Sequence, residues 1–300
     1  MKPVDISVII VGLNTRELVR NCLRTLRDSN WGGYTFEIIY IDNGSRDGSV
    51  EMVRADFRDV RVVANSTNLH YCPAGNQGAD LSSGRYLLFL NNDTELEPDA
   101  VLVMARLLDS QPRAGAAGCR LLNPDGTDQW SARRFPAWYN GLLGRRSVLS
   151  RLAPNSFPVR RYLFKDELAA QAPFSVDWTG TVAMLVRRED FAAAGRLPED
   201  FYYWHESVFC HRLSLLKREI WIEPTSRILH FEGKGGGPRP YAVRRWHILD
   251  FSRGAYRFHC ERYGLALWHP SRWFAAASLT FRAAALLTAL WLSTRTERRT

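Results

Sequence analysis

The chain has 300 residues, 46% of them hydrophobic, which is enough for one large α/β domain with an appendage and excludes disorder as the main state. Its five cysteines are scattered and include no C-x-x-C pair, so neither a disulfide framework nor a zinc cluster is indicated, and a reducing, cytosolic compartment is expected. Forty Lys and Arg against 31 Asp and Glu give a net charge of +9, which arises in the second half and favours an anionic partner or surface.

The first hundred residues alternate between apolar runs and helical patterns. The runs at residues 6–11, 36–41, 60–63 and 86–90 predict buried strands, and an apolar stripe from Leu18 to Leu26 predicts a helix. The first run is too short for the core of a signal peptide, so export by that route is not expected. Short buried strands joined by helices indicate a parallel sheet covered on both faces, in which ligands bind beyond the carboxyl ends of the strands.

Polar turns follow three of these strands at the expected binding edge. Asn14 follows the first strand, the turn Asp42-Asn43-Gly44 follows the second, and Asn91-Asn92-Asp93 follows the fourth. A carboxylate at the end of a buried strand can hold Mg²⁺ or Mn²⁺ while the ion bridges two phosphates, which makes Asp93 a candidate metal ligand. Asp42 is a candidate contact for the base or ribose of a nucleotide.

Both acidic turns also suit an ordinary structural role, because Asn and Asp favour turns and helix caps through local hydrogen bonds. Neither the G-x-G-x-x-G pattern of dinucleotide folds nor the G-x-x-x-x-G-K-[ST] phosphate loop is present. A nicotinamide-dependent oxidoreductase and a P-loop kinase are therefore poorly supported.

The second half is less regular. Residues 110–175 are rich in Pro and Arg and weak in periodicity, which predicts loops and insertions over the cleft, followed by a buried strand at 181–186 and a helix at 206–216. Glu206 lies beside aromatic residues, a setting that can raise the pKa of a carboxyl and suit it to general base catalysis, although a capping or salt-bridging role is the alternative. His230 is a candidate metal ligand, but a lone histidine is more often structural. Lys234, in the glycine loop 233–237, is placed to close over a diphosphate.

One segment, from Trp273 to Leu292, is apolar enough to be a membrane candidate. As a helix it would be about 30 Å long, but Arg282 near its middle costs about 2.5 to 3.5 kcal/mol on insertion. A helix lying at the surface of an anionic membrane is therefore favoured over a spanning one. A helix docked on the catalytic domain is the alternative.

Taken in order, these motifs resemble the large inverting glycosyltransferase family 2, and especially its rhamnosyltransferase-like bacterial members. The resemblance covers about residues 5–260, and its specificity lies in the ordered set of blocks. The matching blocks are residues 7–14, 41–45, 68–76, 90–93, 125–136, 180–188, 195–201, 206–212 and 224–230.

The resemblance implies an α/β fold of the GT-A type, with a Rossmann-like nucleotide-binding half fused to an acceptor half around a mixed central sheet. We expect a catalytic domain at 1–240, divided into a nucleotide-sugar half at about 1–110 and an acceptor half at 111–240. A C-terminal helical region at 241–300 is the candidate membrane-associated part.

The resemblance also implies the roles of single residues. Glu206 would be the catalytic base, and Asp93 with His230 would hold Mg²⁺ or Mn²⁺. The expected contacts of the nucleotide sugar are Asn14, Asp42, Asn43, Gly44, Asn76, Asn92, Asp93 and Lys234. The chain departs from the family pattern at several positions: Asn91 replaces the commoner first Asp, His205 replaces an acidic residue before the base, Val208 replaces an aspartate and His70 replaces a glycine.

The expected function is that of an inverting, metal-dependent glycosyltransferase that moves a sugar from a nucleoside diphosphate sugar to a hydroxyl of a saccharide or lipid-linked saccharide. The resemblance suggests rhamnosyl transfer in cell-surface polysaccharide assembly, at the inner face of the plasma membrane. Because of the departures, a catalytically inactive, membrane-peripheral nucleotide-sugar-binding protein is the alternative. Nucleic-acid binding is not expected, since no basic helix or aromatic-basic sheet motif is present.

Overall fold

The computed structural model describes residues 3–135, 152–232 and 240–297, so the predicted glycine loop with Lys234 lies outside the described residues. The described elements, in chain order, are β1 (Ile6–Gly12), α1 (Arg16–Arg27), β2 (Phe36–Asp42), α2 (Ser49–Asp56), β3 (Val60–Ala64), α3 (Tyr71–Leu81), β4 (Tyr86–Asn91), β5 (Thr94–Leu96), α4 (Ala100–Ser110), β6 (Ala114–Leu122), α5 (Phe157–Tyr162), α6 (Lys165–Ala170), β7 (Phe174–Val176), β8 (Ala183–Arg187), α7 (Arg188–Ala193), α8 (His205–Leu215), β9 (Glu219–His230), α9 (Tyr241–Tyr263) and α10 (Pro270–Glu297).

A single mixed sheet connects the two halves of the chain. Its strand order is β3-β2-β1-β4-β8-β6-β9-β5, and β7 pairs with β9 outside this path. Strands β1 to β4 are parallel, whereas β8 is antiparallel to both β4 and β6. The predicted mixed sheet with C-terminal helices is therefore confirmed.

Strand β1 shows why the sequence of the first half predicts buried strands. Its side chains alternate between two cores: Ile6, Val8 and Ile10 enter one, and Ile9 enters the other. The predicted stripe of α1 packs on the first of these cores through Cys22, Leu23 and Leu26. A strand covered on both faces has no polar alternation, which is why it appears in the sequence as a continuous apolar run.

The prediction of loops throughout residues 110–175 was wrong at β6, which lies inside the sheet between β8 and β9. Its sequence begins with small residues rather than the β-branched residues typical of strands. The reason is close packing: a Cβ on Gly118 would lie 2.5 Å from Oγ1 of Thr179. Small side chains let β6 lie close to its neighbours. The same small side chains give the strand little of the hydrophobic pattern from which strands are predicted.

The C-terminal helices α9 and α10 pack against each other as a hairpin. Ala283 and Leu290 are buried, and Arg272 Nε donates to the hydroxyl of Tyr256 at 2.7 Å. The opposite face of α10 is exposed, with Trp273 67% and Phe281 79% accessible. Among the described residues, one stretch, Pro270–Thr294, is long and apolar enough to cross a membrane, and only 11% of its most apolar window is buried.

Candidate active site

The carboxyl ends of β1, β2 and β4 lie side by side, as the sequence predicts. Gly12 is in register with Asp42, and Val11 is in register with Asn91. A Cβ on Gly12 would lie 2.5 Å from the hydroxyl oxygen of Tyr40 and 3.0 Å from Nδ2 of Asn92, so only glycine lets these chains approach. The predicted polar turns therefore meet at one edge of the sheet.

Asp42 is committed to the turn that follows β2. Its Oδ1 accepts hydrogen bonds from the backbone N–H groups of Gly44 at 3.0 Å and Ser45 at 2.8 Å, and the Tyr40 hydroxyl donates to Oδ2 at 3.1 Å. The residue is only 1% exposed, and Gly44 has the left-handed φ of 86° that this turn requires. The described contacts of Asp42 are thus structural, and its contact with a nucleotide base stays a prediction.

The side chains of Asn14 and Asn43 form hydrogen bonds between neighbouring loops. Asn14 Oδ1 accepts from the backbone N–H of Arg46 at 2.8 Å. Asn43 Nδ2 donates to the carbonyl oxygen of His70 at 3.2 Å, and Asn65 donates to Asn43 Oδ1 at 3.2 Å. These bonds connect the turns after β1 and β2 with the start of α3.

Asn76 lies on α3, and the structure gives its side chain a tethering role. Its Nδ2 donates to the carbonyl oxygen of Leu197 and to Oε1 of Glu199, both at 2.9 Å, and its Oδ1 accepts from the N–H of Leu197 at 3.2 Å. The side chain is buried and holds the segment after α7 against α3. Its predicted contact with the nucleotide sugar stays a prediction that these bonds do not support.

The candidate metal ligands come together through the pairing of two strands. Thr94 at the start of β5 is in register with His230 at the end of β9. As a result, Nε2 of His230 lies 3.4 Å from Oδ1 of Asp93, and both side chains are largely buried. The neighbouring Asn92 instead donates through Nδ2 to Oγ1 of Thr15 at 2.6 Å, which places it at the rim beside β1.

A buried glutamine that the sequence reasoning missed, Gln129, orients His230. Its Nε2 donates to the carbonyl oxygen of His230 at 2.8 Å and to Oδ1 of Asn123 at 2.9 Å. Its Oε1 therefore accepts from Nδ1 of His230, at 2.8 Å, and the other ring nitrogen faces Asp93. Histidine ligands of metals are typically fixed in this way through the nitrogen that does not bind the ion.

These residues fit a divalent ion whose remaining ligands come from the substrate. In the described part of the chain, no group of three or more His, Cys, Asp or Glu side chains is arranged to hold a metal alone. Mg²⁺ in particular is commonly held by one or two carboxylates together with substrate phosphates and water. Asp93 and His230 would supply the protein's share of such a set.

Glu206 lies in the first turn of α8. Trp204, the residue before this helix, has the left-handed conformation with φ 74°. Oε1 of Glu206 lies 3.4 Å from Nε2 of His205. His205 is held in turn, because its Nδ1 donates to the carbonyl oxygen of Tyr202 at 3.0 Å and the Thr181 hydroxyl lies 3.3 Å from Nε2. The departure from the family pattern at position 205 thus places a fixed imidazole beside the candidate base.

Tyr71, which the sequence analysis did not single out, connects the candidate base and the candidate metal ligand. Its hydroxyl donates to the carbonyl oxygen of Thr181 at 3.1 Å, and its ring lies 5.5 Å from that of His205. Burial raises the pKa of Tyr71, and the negative charges of Glu206 and Asp93 raise it further. Both carboxylates therefore act electrostatically on the same phenol.

Comparisons with known proteins bear on the family and the fold of the chain. The family model described as "Glycosyl transferase family 2" matches residues 7–170. The N-acetylglucosaminyl-diphospho-decaprenol L-rhamnosyltransferase of Mycobacterium tuberculosis is 25% identical over 259 residues, which cover 82% of this chain and 81% of the relative.

Solved structures share the fold at lower identity. The mannosyltransferase PcManGT from Pyrobaculum calidifontis, in complex with GDP-Man and Mn²⁺, aligns with a TM-score of 0.57 at 19% identity and covers 100% of this chain and 81% of that one. S. aureus TarS 1–349, in complex with UDP-GlcNAc, aligns with a TM-score of 0.54 at 13% identity, over 87% of this chain and 73% of that one. The predicted GT-A type of fold is confirmed, and the chain belongs to glycosyltransferase family 2.

Proposed function

We propose that this glycosyltransferase is an inverting enzyme that moves a sugar from a nucleoside diphosphate sugar to a hydroxyl of a lipid-linked saccharide. The observations that carry the proposal are two side-chain pairs: His230 with Asp93 at the carboxyl edge of the sheet, and Glu206 with His205 in the first turn of α8. The name of the M. tuberculosis relative, which transfers L-rhamnose to a diphospho-decaprenol-linked sugar, supports rhamnose as the sugar and a lipid diphosphate as the carrier of the acceptor.

Asp93 and His230 are the proposed holders of Mg²⁺ or Mn²⁺, which, when bound, neutralises negative charge on the diphosphate leaving group. The protein prepares this position in advance. Gln129 fixes the ring of His230, and the backbone N–H of Phe231 donates to the carbonyl oxygen of Asp93 at 2.9 Å. The first bond fixes the imidazole of His230, and the second fixes the backbone of Asp93 beside it.

Glu206 is the proposed general base. Its carboxylate accepts the proton of the acceptor hydroxyl, and the oxygen attacks the anomeric carbon from the face opposite the diphosphate. A single displacement of this kind inverts the configuration at that carbon. His205 and Thr181 hold the carboxylate side of the cleft in place, since each has a hydrogen-bonding partner in the described structure.

The proposed functional division of the chain has three parts. They are a donor half at 1–110, an acceptor half at 111–240 and a helical region at 241–300. The boundary at 110 falls between α4 and β6, although one continuous sheet joins the halves. The donor half contains the parallel strands β1 to β4, and Glu206 and His230 belong to the acceptor half.

The α9–α10 hairpin is the proposed contact with the cytoplasmic face of the membrane. Its outer face exposes large apolar side chains, and the guanidinium of Arg282 lies 4.8 Å over the ring of Phe251 on α9. Because the other side of α10 packs on α9, a helix that lies at the surface is favoured over one that spans the bilayer. The net charge of +9 would strengthen attraction to anionic lipid.

A donor screen followed by a transfer assay tests the proposal. UDP-, GDP- and dTDP-sugars are compared for thermal stabilisation with and without Mn²⁺, because a ligand that binds only the folded state raises its melting temperature. The stabilising donor is then incubated with farnesyl diphospho-N-acetylglucosamine, and the anomeric configuration of the product is determined by NMR. Metal-dependent stabilisation and an inverted product are expected. Donor binding without transfer or hydrolysis would instead indicate a nucleotide-sugar-binding protein without turnover.

A further inference from the structure

A cavity of about 280 Å³ lies between α9 and the segment that leads into the candidate base. One wall is formed by Asp200 to Tyr203, directly before Trp204 and the helix that carries Glu206. The other wall is one face of α9, with Asp250, Arg253 and Arg257 at helical spacing. None of these residues is a candidate metal ligand or the candidate base, although the carbonyl oxygen of Tyr202 accepts from His205, so the cavity adjoins the cleft.

Two charged side chains in this cavity are unused. Asp250 and Arg253 stand three residues apart on the helix, yet neither makes a hydrogen bond or an ion pair within the described part of the chain. Arg257 is different: it pairs with the Asp200 carboxylate, and its guanidinium lies 4.1 Å over the ring of Phe201. Arg257 therefore builds the wall, and Asp250 with Arg253 remains available to a ligand.

The free groups of the cavity suit a neutral, hydroxyl-rich ligand. One carboxylate accepts hydrogen bonds and one guanidinium donates them, so their charges cancel and an isolated phosphate would meet as much repulsion as attraction. Aromatic rings that can cover the apolar face of a sugar lie at the cavity and next to it. Tyr202, a wall residue, is 40% exposed, and its ring centroid lies 4.7 Å from that of Trp246, which is 44% exposed.

Tyr202 also connects this cavity with the nucleotide side of the cleft. Its ring lies 5.7 Å from that of His70, the residue whose carbonyl oxygen accepts from Asn43. Its carbonyl oxygen accepts from His205, the neighbour of Glu206. A ligand in the cavity would therefore lie beside both the donor side of the cleft and the candidate base. Helix α9, which forms one wall of the cavity, also packs on α10, whose other face is exposed.

We infer that this cavity binds a sugar residue of the acceptor saccharide, with Asp250 and Arg253 hydrogen-bonded to its hydroxyls and Tyr202 and Trp246 packed against its ring. The inference rests on the proposed transferase function, because it assigns the acceptor's place in that reaction. It makes Asp250 and Arg253 determinants of acceptor specificity that have no role in donor binding.

The test compares Arg253→Ala and Asp250→Asn with Arg244→Ala, an exposed arginine on the same helix that does not line the cavity. Farnesyl diphospho-N-acetylglucosamine is the acceptor, and the donor is the one selected by thermal stabilisation. Loss of a charged hydrogen-bonding group should raise the acceptor KM about tenfold in both cavity variants. The donor KM should stay within twofold of the value for the parent protein. The donor-induced rise in melting temperature should equal that of the parent within error.

Calorimetric binding of the same acceptor, measured without donor, makes the result independent of turnover. Weaker acceptor binding in the two cavity variants, but not in Arg244→Ala, would support the site even if no transfer occurred, and that outcome would overturn only the proposed catalysis. An unchanged acceptor KM and affinity in both variants would overturn the site while transfer itself stood. Equal weakening in Arg244→Ala, or no acceptor binding to the parent protein, would also overturn it.

Discussion

The cleft at the sheet edge and the α9–α10 hairpin differ in how their side chains are used. In the cleft, Asp42 accepts hydrogen bonds from backbone N–H groups, and Asn43 and Asn76 donate to backbone carbonyl oxygens. On the outer face of the hairpin, Trp273 and Phe281 are exposed. The polar side chains of the cleft are therefore held by the fold, whereas the hairpin presents apolar surface of the kind that marks an interaction.

We therefore expect the two regions to carry separable tasks. Changes in the cleft should alter metal binding or turnover and leave membrane attachment as it is. Changes on the outer face of α10 should alter attachment and leave transfer to a soluble acceptor as it is. A change that affects both properties would break this separation.

The largest effect is expected from Asp93→Ala, which should abolish Mn²⁺-dependent turnover. The substitution removes the carboxylate beside Nε2 of His230 and leaves the proposed metal site with one protein ligand. Turnover is measured over a range of Mn²⁺ concentrations, with Asp28→Ala as the control at an exposed acidic position. Undiminished metal-dependent turnover in Asp93→Ala would refute the assignment.

Glu206→Gln should lower turnover by about 10²-fold or more, because it keeps the shape of the side chain and removes its basicity. Donor affinity should be preserved, which distinguishes loss of the base from loss of the fold. The matched control is Glu189→Gln, at a highly exposed glutamate. If turnover were the same in Glu206→Gln and the parent protein, another residue would have to accept the proton.

Gln129→Ala should weaken Mn²⁺ affinity roughly tenfold, since the ring of His230 would lose the acceptor for its Nδ1 proton. The affinity is taken from the Mn²⁺ concentration that gives half-maximal stabilisation by donor, and Gln111→Ala is the control. His230→Ala completes the series. A large loss of stability with normal donor affinity in His230→Ala would mean that the histidine is a core residue and not a ligand.

On the hairpin, the double variant Trp273→Ser/Phe281→Ser should lose most of its flotation with liposomes of anionic lipid, because both side chains are exposed and their apolar surface is available to the bilayer interface. Turnover with a soluble acceptor should not change. Phe157→Ser, at an equally exposed aromatic residue on α5, is the control. Equal flotation of the double variant and the parent would contradict membrane attachment through this face.

A chain that ends at Tyr263 tests the alternative role of α10. If α10 serves mainly to anchor the enzyme, the shorter chain should leave the liposome fraction and keep the melting temperature of its catalytic domain. Loss of stability together with unchanged solubility would indicate a helix docked on α9 for structural reasons, in line with the buried Ala283 and Leu290.

The smallest effect on activity is expected from Asn76→Ala, which should lower the free energy of unfolding by about 2 kcal/mol and leave the donor KM unchanged. The reason is that three hydrogen bonds of this buried side chain hold residues 197–199. Urea denaturation and donor kinetics are the measurements. A raised donor KM with normal stability would support the binding role predicted from the sequence.

Much of the donor half could be predicted from the sequence because its signals are local. Strands β1, β2, β3 and β4 are continuous apolar runs, and the polar turns after them follow directly in the chain. The rule that ligands bind at the carboxyl ends of parallel strands then placed Asn14, Asp42 and Asn92 together, as the strand register confirms. The family resemblance pointed to Asp93, His230 and Glu206, whose roles remain predictions.

Only the tertiary structure decided which groups meet across long stretches of chain. The pairing of β5 with β9 brings Asp93 to His230, and the fold around β6 brings Gln129 under the same ring. No periodicity reports such contacts, because strand pairing and side-chain packing depend on the whole sheet. For the same reason the family resemblance, which singled out Asn76 as a ligand contact, gave no sign that its side chain bonds to Leu197 in the folded chain.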